Sequence, residues 1–252
     1  MLNLKQLKVV IDDKQLLNIE DFTANAGELI SVLGRNGAGK STLFKSICGE
    51  ISSTGKRYFH QQAMTAWPKQ KLARHLAVLP QTSTLSFSFS VREVVALGLI
   101  PLSISRAQGL VLIDEMLALT DTLRFAQRSY LGLSGGERQR VHLARVLVQL
   151  SQAEQSPLLL LDEPTSAQDL AQQHQLLQLV KTLCSEKNYS ALVIMHDLNL
   201  SMRYSDKICI LENGMLVAQG KPDQVLTIDS IEQQWRYQSQ QVTTASGIVG
   251  FL

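Results

Sequence analysis

No apolar run in this 252-residue chain reaches the roughly twenty residues that span a bilayer, and the opening Met1-Leu2-Asn3-Leu4-Lys5 lacks the basic-then-apolar build of a secretion signal. Both absences predict a cytosolic protein, one still free to bind something in a membrane. Cysteine is scarce: Cys48, Cys184 and Cys209 lie far apart, each in an apolar stretch, with no paired spacing to histidine. That excludes a disulfide framework or a thiolate metal site and predicts buried, reduced core thiols. No charge of one sign dominates, since 24 Lys and Arg face 22 Asp and Glu for a net +2, so composition offers no argument for nucleic acid. Residues 1–21 contain no Phe, Tyr or Trp. With 45% hydrophobic and 18% charged residues the chain is not a disordered one, and its length suits a main α/β domain carrying a smaller lobe.

What is present is first a glycine-rich octet, Gly34-Arg35-Asn36-Gly37-Ala38-Gly39-Lys40-Ser41, followed by Thr42. Glu28 to Leu33 before it reads as a buried strand. Ser41 to Cys48 after it carries Leu43, Phe44 and Ile47 at helical spacing, with Gly49 as the stop. A glycine turn between strand and helix aims backbone N–H groups at phosphate oxygens, and the helix N-terminus adds partial positive charge. Lys40 supplies a cation for terminal phosphates, and Ser41 a hydroxyl for a phosphate-bound Mg²⁺. Nucleotide binding follows from this context.

Residues 1–33 alternate short strand-like pieces with turns at Asp12-Asp13 and Ala26-Gly27, which predicts an antiparallel β-layer. Residues 50–77 are mixed, and Val78-Leu79-Pro80-Gln81 ends another core strand. The uncharged, hydroxyl-rich residues 82–91 read as a loop. Val91 to Leu99, Ser105 to Leu119 and Glu137 to Leu150 have helical spacing, predicting a helical lobe. Pro157 to Glu163 and Ala191 to Asp197 are apolar runs ending in polar chemistry, as for parallel strands buried on both faces. Strands alternating with helices, with the chemistry at strand carboxyl ends, give a doubly wound α/β sheet. The polar stretch Gln233 to Ser246 reads as a loosely ordered tail.

Two acids at a strand end are common by themselves, but beside a phosphate loop Asp162 suits Mg²⁺ and Glu163 suits a water attacking the terminal phosphate. His196 and Gln81, each following a core strand, are individually weak signals. In order, Lys40, Gln81, Ser134-Gly135-Gly136, Asp162-Glu163, Ser166-Ala167-Gln168-Asp169 and His196 resemble the motif set of the ATP-binding cassette (ABC) superfamily: Walker A, Q-loop, signature, Walker B, D-loop and H-loop. The resemblance covers about residues 2–226.

The resemblance implies a P-loop ATPase core with an antiparallel β-layer and a helical signature lobe. The core would comprise residues 1–81 and 151–230, the lobe 82–150 and a tail 231–252. It implies ATP and Mg²⁺ as ligands, Ser41, Gln81 and Asp162 as metal contacts, and Glu163, His196 and Gln81 as catalytic residues. Gly34 through Thr42 would hold one nucleotide while Ser134, Gly135 and Gly136 cap the γ-phosphate held by a second copy in a head-to-tail homodimer. A single cassette without a fused membrane domain resembles a stand-alone subunit serving two separate permease chains and, indirectly, a periplasmic-type binding protein. Its place would be the cytoplasmic face of the inner membrane, without nucleic acid.

Around the motifs, Leu85 to Val95, Leu143 to Leu147, Asp169 to Gln175, His196 to Leu200 and the Trp67 segment are similar to importers of large iron-related cofactors, heme (haemin) importers among them. Ferric-siderophore and vitamin B12 importers share most of these features, and a soluble cassette acting on DNA or ribosomes is a further alternative. His60, His75, His142 and His174 are not evidence for heme, because the cassette handles nucleotide and not cargo. The resemblance points to Thr82 to Val91, with Phe87 and Phe89, as part of a groove for a permease helix. Two departures stand out. No aromatic is available upstream to stack adenine, leaving Val10 or Ile11, and Gln168 replaces the usual Leu, with little effect expected.

Overall fold

The computed structural model describes residues 1–81, 88–243 and 249–252. The first half of the chain holds β1 (Leu2–Ile11), β2 (Lys14–Ala24), β3 (Leu29–Leu33), α1 (Lys40–Cys48), β4 (Thr54–Phe59), β5 (Gln62–Ala63), α2 (Lys69–His75), β6 (Leu76–Leu79), α3 (Val91–Ala96) and α4 (Arg106–Leu119). The second half holds α5 (Gly135–Leu150), β7 (Leu158–Asp162), α6 (Leu170–Lys187), β8 (Ser190–Ile194), α7 (Leu198–Tyr204), β9 (Lys207–Glu212), β10 (Met215–Gly220), α8 (Pro222–Val225), α9 (Ile228–Trp235), β11 (Gln241–Thr243) and β12 (Val249–Phe251). Two compact units result, Met1–Ala66 with Leu177–Leu252, and Trp67–Leu176.

In the first unit the strands run β5-β4-β1-β2-β10-β9-β3-β8. The β1–β2 hairpin closes on Asp12 and Asp13, both with positive φ, as a two-residue turn matching strand twist requires. Leu2, Leu4, Leu7 and Val9 are all buried although their spacing changes parity. A bulge accounts for it: Gln6 has φ 50° and the β1–β4 register shifts between Lys5 and Lys8. Gly55 is needed opposite, because a Cβ there would lie 2.1 Å from the Gln6 carbonyl oxygen. β3 is buried along its whole length, between β8 and β9 and parallel to both, which explains why four of its five residues are apolar; the fifth, Ser31, pairs its hydroxyl with that of Ser205. β10 joins the two regimes, antiparallel to β9 and parallel to β2 through Met215 and Asn18.

Of the polar stretch Gln233 to Ser246, Gln233 to Trp235 close α9 and Gln241 to Thr243 form β11, whereas 244–246 lie outside the described residues. Thr227 and Ser230 form a capping box that starts α9, Ile231 anchors it, and β11 pairs with β12.

In the second unit β6 and β7 pair in parallel, Leu76 with Leu158 through Leu79 with Leu161. Three of its helices share one start signal. Ser90 with Glu93, Ser105 with Gln108, and Ser134 with Glu137 each form a reciprocal capping box at the head of α3, α4 and α5. For α5 the box moves the helix start to Gly135, two residues before the apolar periodicity begins. Val91, Val94, Val95, Ile113, Leu117, Val141, Ala144 and Val148 make the helical core, with Phe89 packed against it. The rest of the proposed permease groove, Thr82 to Phe87, lies outside the described residues.

One polar pair sits inside that core. The Tyr130 hydroxyl is 2.8 Å from His142 Nε2, and burial, with Arg145 as the smaller cause, pushes His142 down to about 4 from its ordinary 6.5. An unfolded chain takes up this proton near 6.5 and the native chain only near 4, so stability present above pH 6.5 is lost as pH falls through that window. The shift corresponds to about 3 kcal/mol. Urea unfolding of wild type and His142→Gln from pH 7.5 to 4 is expected to show the wild type losing stability relative to the variant by that order. A difference constant in pH would contradict it.

Candidate functional site

In the first unit, the turn from β3 into α1 carries the residues that the sequence marks as a phosphate loop. Gly34, Gly37 and Gly39 have φ of 144°, 81° and 101°, a backbone path that side chains resist. Gly34 is also crowded, since a Cβ would sit 2.2 Å from the Leu211 carbonyl oxygen, whereas around Gly37 there is open space. Arg35, Asn36 and Gly37 are exposed, as is Ser41. Ala38 N–H donates to the Arg35 carbonyl at 3.1 Å and closes the loop. Lys40 folds into it, 6% exposed, its Nζ donating to the Gly34 and Arg35 carbonyls at 2.7 and 3.2 Å. The first N–H groups of α1 thus lie beside a cation and open backbone, an arrangement suited to a polyphosphate. Thr42 is half-buried one step further along α1. A cleft of about 270 Å³ borders the same loop, lined by Arg35, Asn36 and Gly37 with Asn213, Gln234 and Arg236.

His196 is exposed just past β8, whose end is tied to β3 by Met195 N–H donating to the Val32 carbonyl at 3.3 Å. Val10 and Ile11, the available apolar groups near the hairpin tip, are 57% and 46% exposed.

In the second unit, Gln81 and Glu163 meet. Gln81 Nε2 donates to Glu163 Oε2 at 2.6 Å. Glu163 takes a left-handed φ of 49°, a costly conformation for a non-glycine residue. Its carbonyl is held by Ser166 Oγ at 3.0 Å and Ser166 N–H at 3.3 Å, with Gln139 Nε2 at 3.5 Å. Ser166 and Gln139 were not readable as its supports, because a backbone acceptor leaves no mark in sequence. Asp162 is half-buried at the end of β7.

At the head of α5, Ser134 N–H and Oγ–H donate to Glu137 Oε2 at 2.7 and 2.8 Å, and Glu137 N–H returns a bond to Ser134 Oγ at 3.3 Å. Those bonds from Ser134 hold the Glu137 carboxyl below its usual range. Ser134 and Gly135 are exposed. Gly136 packs on the loop after β7, where a Cβ would approach the Ala167 carbonyl oxygen to 2.9 Å. Gln168 in that loop is 8% exposed and neither amide atom has a hydrogen-bond partner.

The other candidates resolve into structure. His75 bridges Lys71 O and Glu154 N–H at 2.8 and 3.0 Å and stacks edge-on with Trp67. Burial raises all three thiols, Cys48, Cys184 and Cys209, to about 12, so they are unreactive. No helix among the described residues is long and apolar enough to cross a membrane.

A family model described as ABC transporter matches residues 17–166. The chain belongs to the ABC transporter family. It is 51% identical over 245 residues to a Shewanella denitrificans protein named hemin import ATP-binding protein HmuV, covering 97% of this chain and 96% of that one. Among solved structures, a transporter described as metal-chelate type in an inward-facing conformation superposes with TM-score 0.81 at 26% identity, covering 100% of this chain and 96% of that chain. The dimeric structure of MJ0796, a bacterial ABC transporter cassette, gives 0.78 at 26%, covering 88% and 99%. The α/β fold, with its glycine loop, antiparallel layer and helical signature region, is the ABC ATPase fold.

The glycine geometry separates two substitutions in this cassette. Gly37→Ala meets backbone strain of about 1–2 kcal/mol but no clash, whereas Gly34→Ala collides with Leu211. Titration with a fluorescent ATP analogue is expected to show weakened binding for Gly37→Ala and none measurable for Gly34→Ala. Equal affinities would refute the assignment of the close approach.

Proposed function

We propose that this chain is the ATP-hydrolysing subunit of a heme importer, working as a homodimer on two permease subunits at the cytoplasmic face of the inner membrane, with a periplasmic-type protein delivering cargo. The observation that carries the cargo is the 51% identity, nearly end to end, to a protein named for hemin import. The likeness to a metal-chelate transporter suits the same class of cargo at a coarser level.

The loop from Gly34 to Thr42 holds the ATP phosphates, with Lys40 neutralising charge on the terminal ones. Each unit offers oxygen donors of the kind Mg²⁺ prefers, the Ser41 hydroxyl in the first and the Gln81 amide oxygen and Asp162 carboxylate in the second. Mg²⁺, when bound with ATP, neutralises charge developing on the phosphate oxygens. Glu163 accepts a hydrogen bond from, and so orients, the attacking water, and Gln81 fixes its carboxylate at 2.6 Å. His196 donates toward the γ-phosphate. Gly135 and Gly136 present N–H donors, and Ser134 its hydroxyl, at the head of α5 to the nucleotide held by the second copy.

Glu163→Gln is expected to keep ATP affinity, trap the closed dimer and lower hydrolysis by orders of magnitude. Near-normal turnover would mean that another residue positions the water. Aromatic stacking contributes about 0.5–1.5 kcal/mol, so a site relying on Val10 or Ile11 is expected to accept GTP with a KM within about tenfold of that for ATP. Strict ATP preference in a paired turnover assay would count against it. The decisive assay reconstitutes the chain with its permease and binding protein and measures uptake of heme, ferric siderophore and vitamin B12 in parallel. Glu163-dependent uptake of heme supports the reading, and uptake of another chelate alone replaces the cargo.

A further inference from the structure

The last strand of the chain is fastened to the helix that follows His196. Asn199, on the exposed side of α7, donates from Nδ2 to the Phe251 carbonyl at 3.1 Å and accepts the Phe251 N–H on Oδ1 at 2.7 Å. One side-chain amide thereby satisfies both backbone groups of a residue in β12, as a neighbouring strand would. The strand is further clamped by Gln240 and Leu252, which exchange N–H···O bonds of 2.9 Å in both directions. Phe251 is 7% exposed.

Neither partner is secure alone. A hairpin of two three-residue strands is marginal in water, and β11 and β12 form a sheet of their own. α7 has seven residues, well below the length at which a helix stands by itself. It is pinned on one side by buried Leu200, Ser201 and Tyr204, and capped at Asp197, whose Oδ1 accepts the Leu200 N–H at 2.9 Å. Asp197 follows His196 directly. The backbone of His196 is therefore held at one end by β8 and at the other by the first turn of α7, and Asn199 lies within that turn.

We propose that Asn199, through its double bond to the backbone of β12, is a positioning residue that braces α7 and so fixes His196 for ATP hydrolysis. The proposal rests on the reading of His196 as a nucleotide contact. It gives the carboxyl-terminal strand a task in the ATPase cycle.

The test uses the full chain assembled with its permease. Asn199→Leu has nearly the same volume but can make neither bond. It is expected to lower kcat roughly tenfold with the KM for ATP within about twofold, since a misplaced group costs mainly transition-state stabilisation. Amides of residues 195–204 are expected to exchange faster. Gly250→Val tests the contact from the strand, because a Cβ there meets Asn199 Oδ1 at 3.3 Å, and it should show the same pattern. Added to His196→Ala, Asn199→Leu is expected to cause no further loss, which damage to the fold would not reproduce. Wild-type turnover in Asn199→Leu beside an impaired His196→Ala overturns the brace alone, as does an equal loss from Asn199→Leu in both backgrounds. Wild-type turnover in His196→Ala overturns the reading of His196 and the proposal with it.

Discussion

Parallel strand pairing places the reactive groups of both units. Within the first unit, β3 pairs in register with β8, Leu29 opposite Ala191 and Val32 opposite Ile194, so the glycine loop and His196 leave at the same strand ends. Within the second, Leu79 lies opposite Leu161, and each strand delivers its polar residue, Gln81 or Glu163, two positions beyond. A parallel sheet must be covered on both faces, so its strands are largely apolar and the chemistry gathers in the loops at their ends. Gln81 and Glu163 are 82 residues apart in sequence, yet that register ends their strands side by side, where the two side chains bond.

The loops at these ends carry strain that the strand pairing offsets. Gly34, Gly37 and Gly39 in one unit, and Glu163 in the other, sit at positive φ. Glycine relieves the strain by having no side chain. Glu163 keeps a side chain, the carboxylate proposed to orient water, and Ser166 and Gln139 hold its carbonyl instead. The same division explains Gly136, whose missing side chain lets α5 lie against the loop that holds Ser166. The helix that begins at the signature serine is thus in contact with the segment that shapes the Glu163 peptide.

Much of this was legible in the sequence. The mostly apolar segment before Gly34 and the unbroken apolar run at Leu158 to Leu161 announced buried strands, and the glycine spacing announced the loop, because each pattern has few physical alternatives. Less legible were features that depend on a partner distant in sequence. The parity change from Leu4 to Leu7 marks a bulge only once Gly55 is seen opposite Gln6. The polar stretch from Gln233 gave no sign of β11, because its partner strand β12 lies beyond that stretch. The helix at Gly135 began earlier than its apolar period because the capping box, not burial, sets its start. Gln168 reverses the lesson: its substitution for an apolar residue is plain in sequence, and the structure buries an amide there that no neighbour satisfies.

The capping box at Ser134 also constrains how the proposed capping of a second copy's nucleotide works. Ser134 Oγ–H is committed to the Glu137 carboxylate at 2.8 Å, and the Ser134 N–H to the same oxygen at 2.7 Å. A phosphate arriving at the head of α5 therefore finds a serine already serving an anion. Turning the hydroxyl from carboxylate to phosphate exchanges one charge-assisted hydrogen bond for another, so the net gain from that group is small. The unshared contributions are the free N–H groups of the first turn and the helix dipole, which Glu137, placed on the same turn, partly opposes. On this reasoning the exposed backbone of Gly135 and its neighbours supplies most of the attraction for the γ-phosphate. Ser134 and Glu137 instead keep that backbone in helical register before the nucleotide arrives.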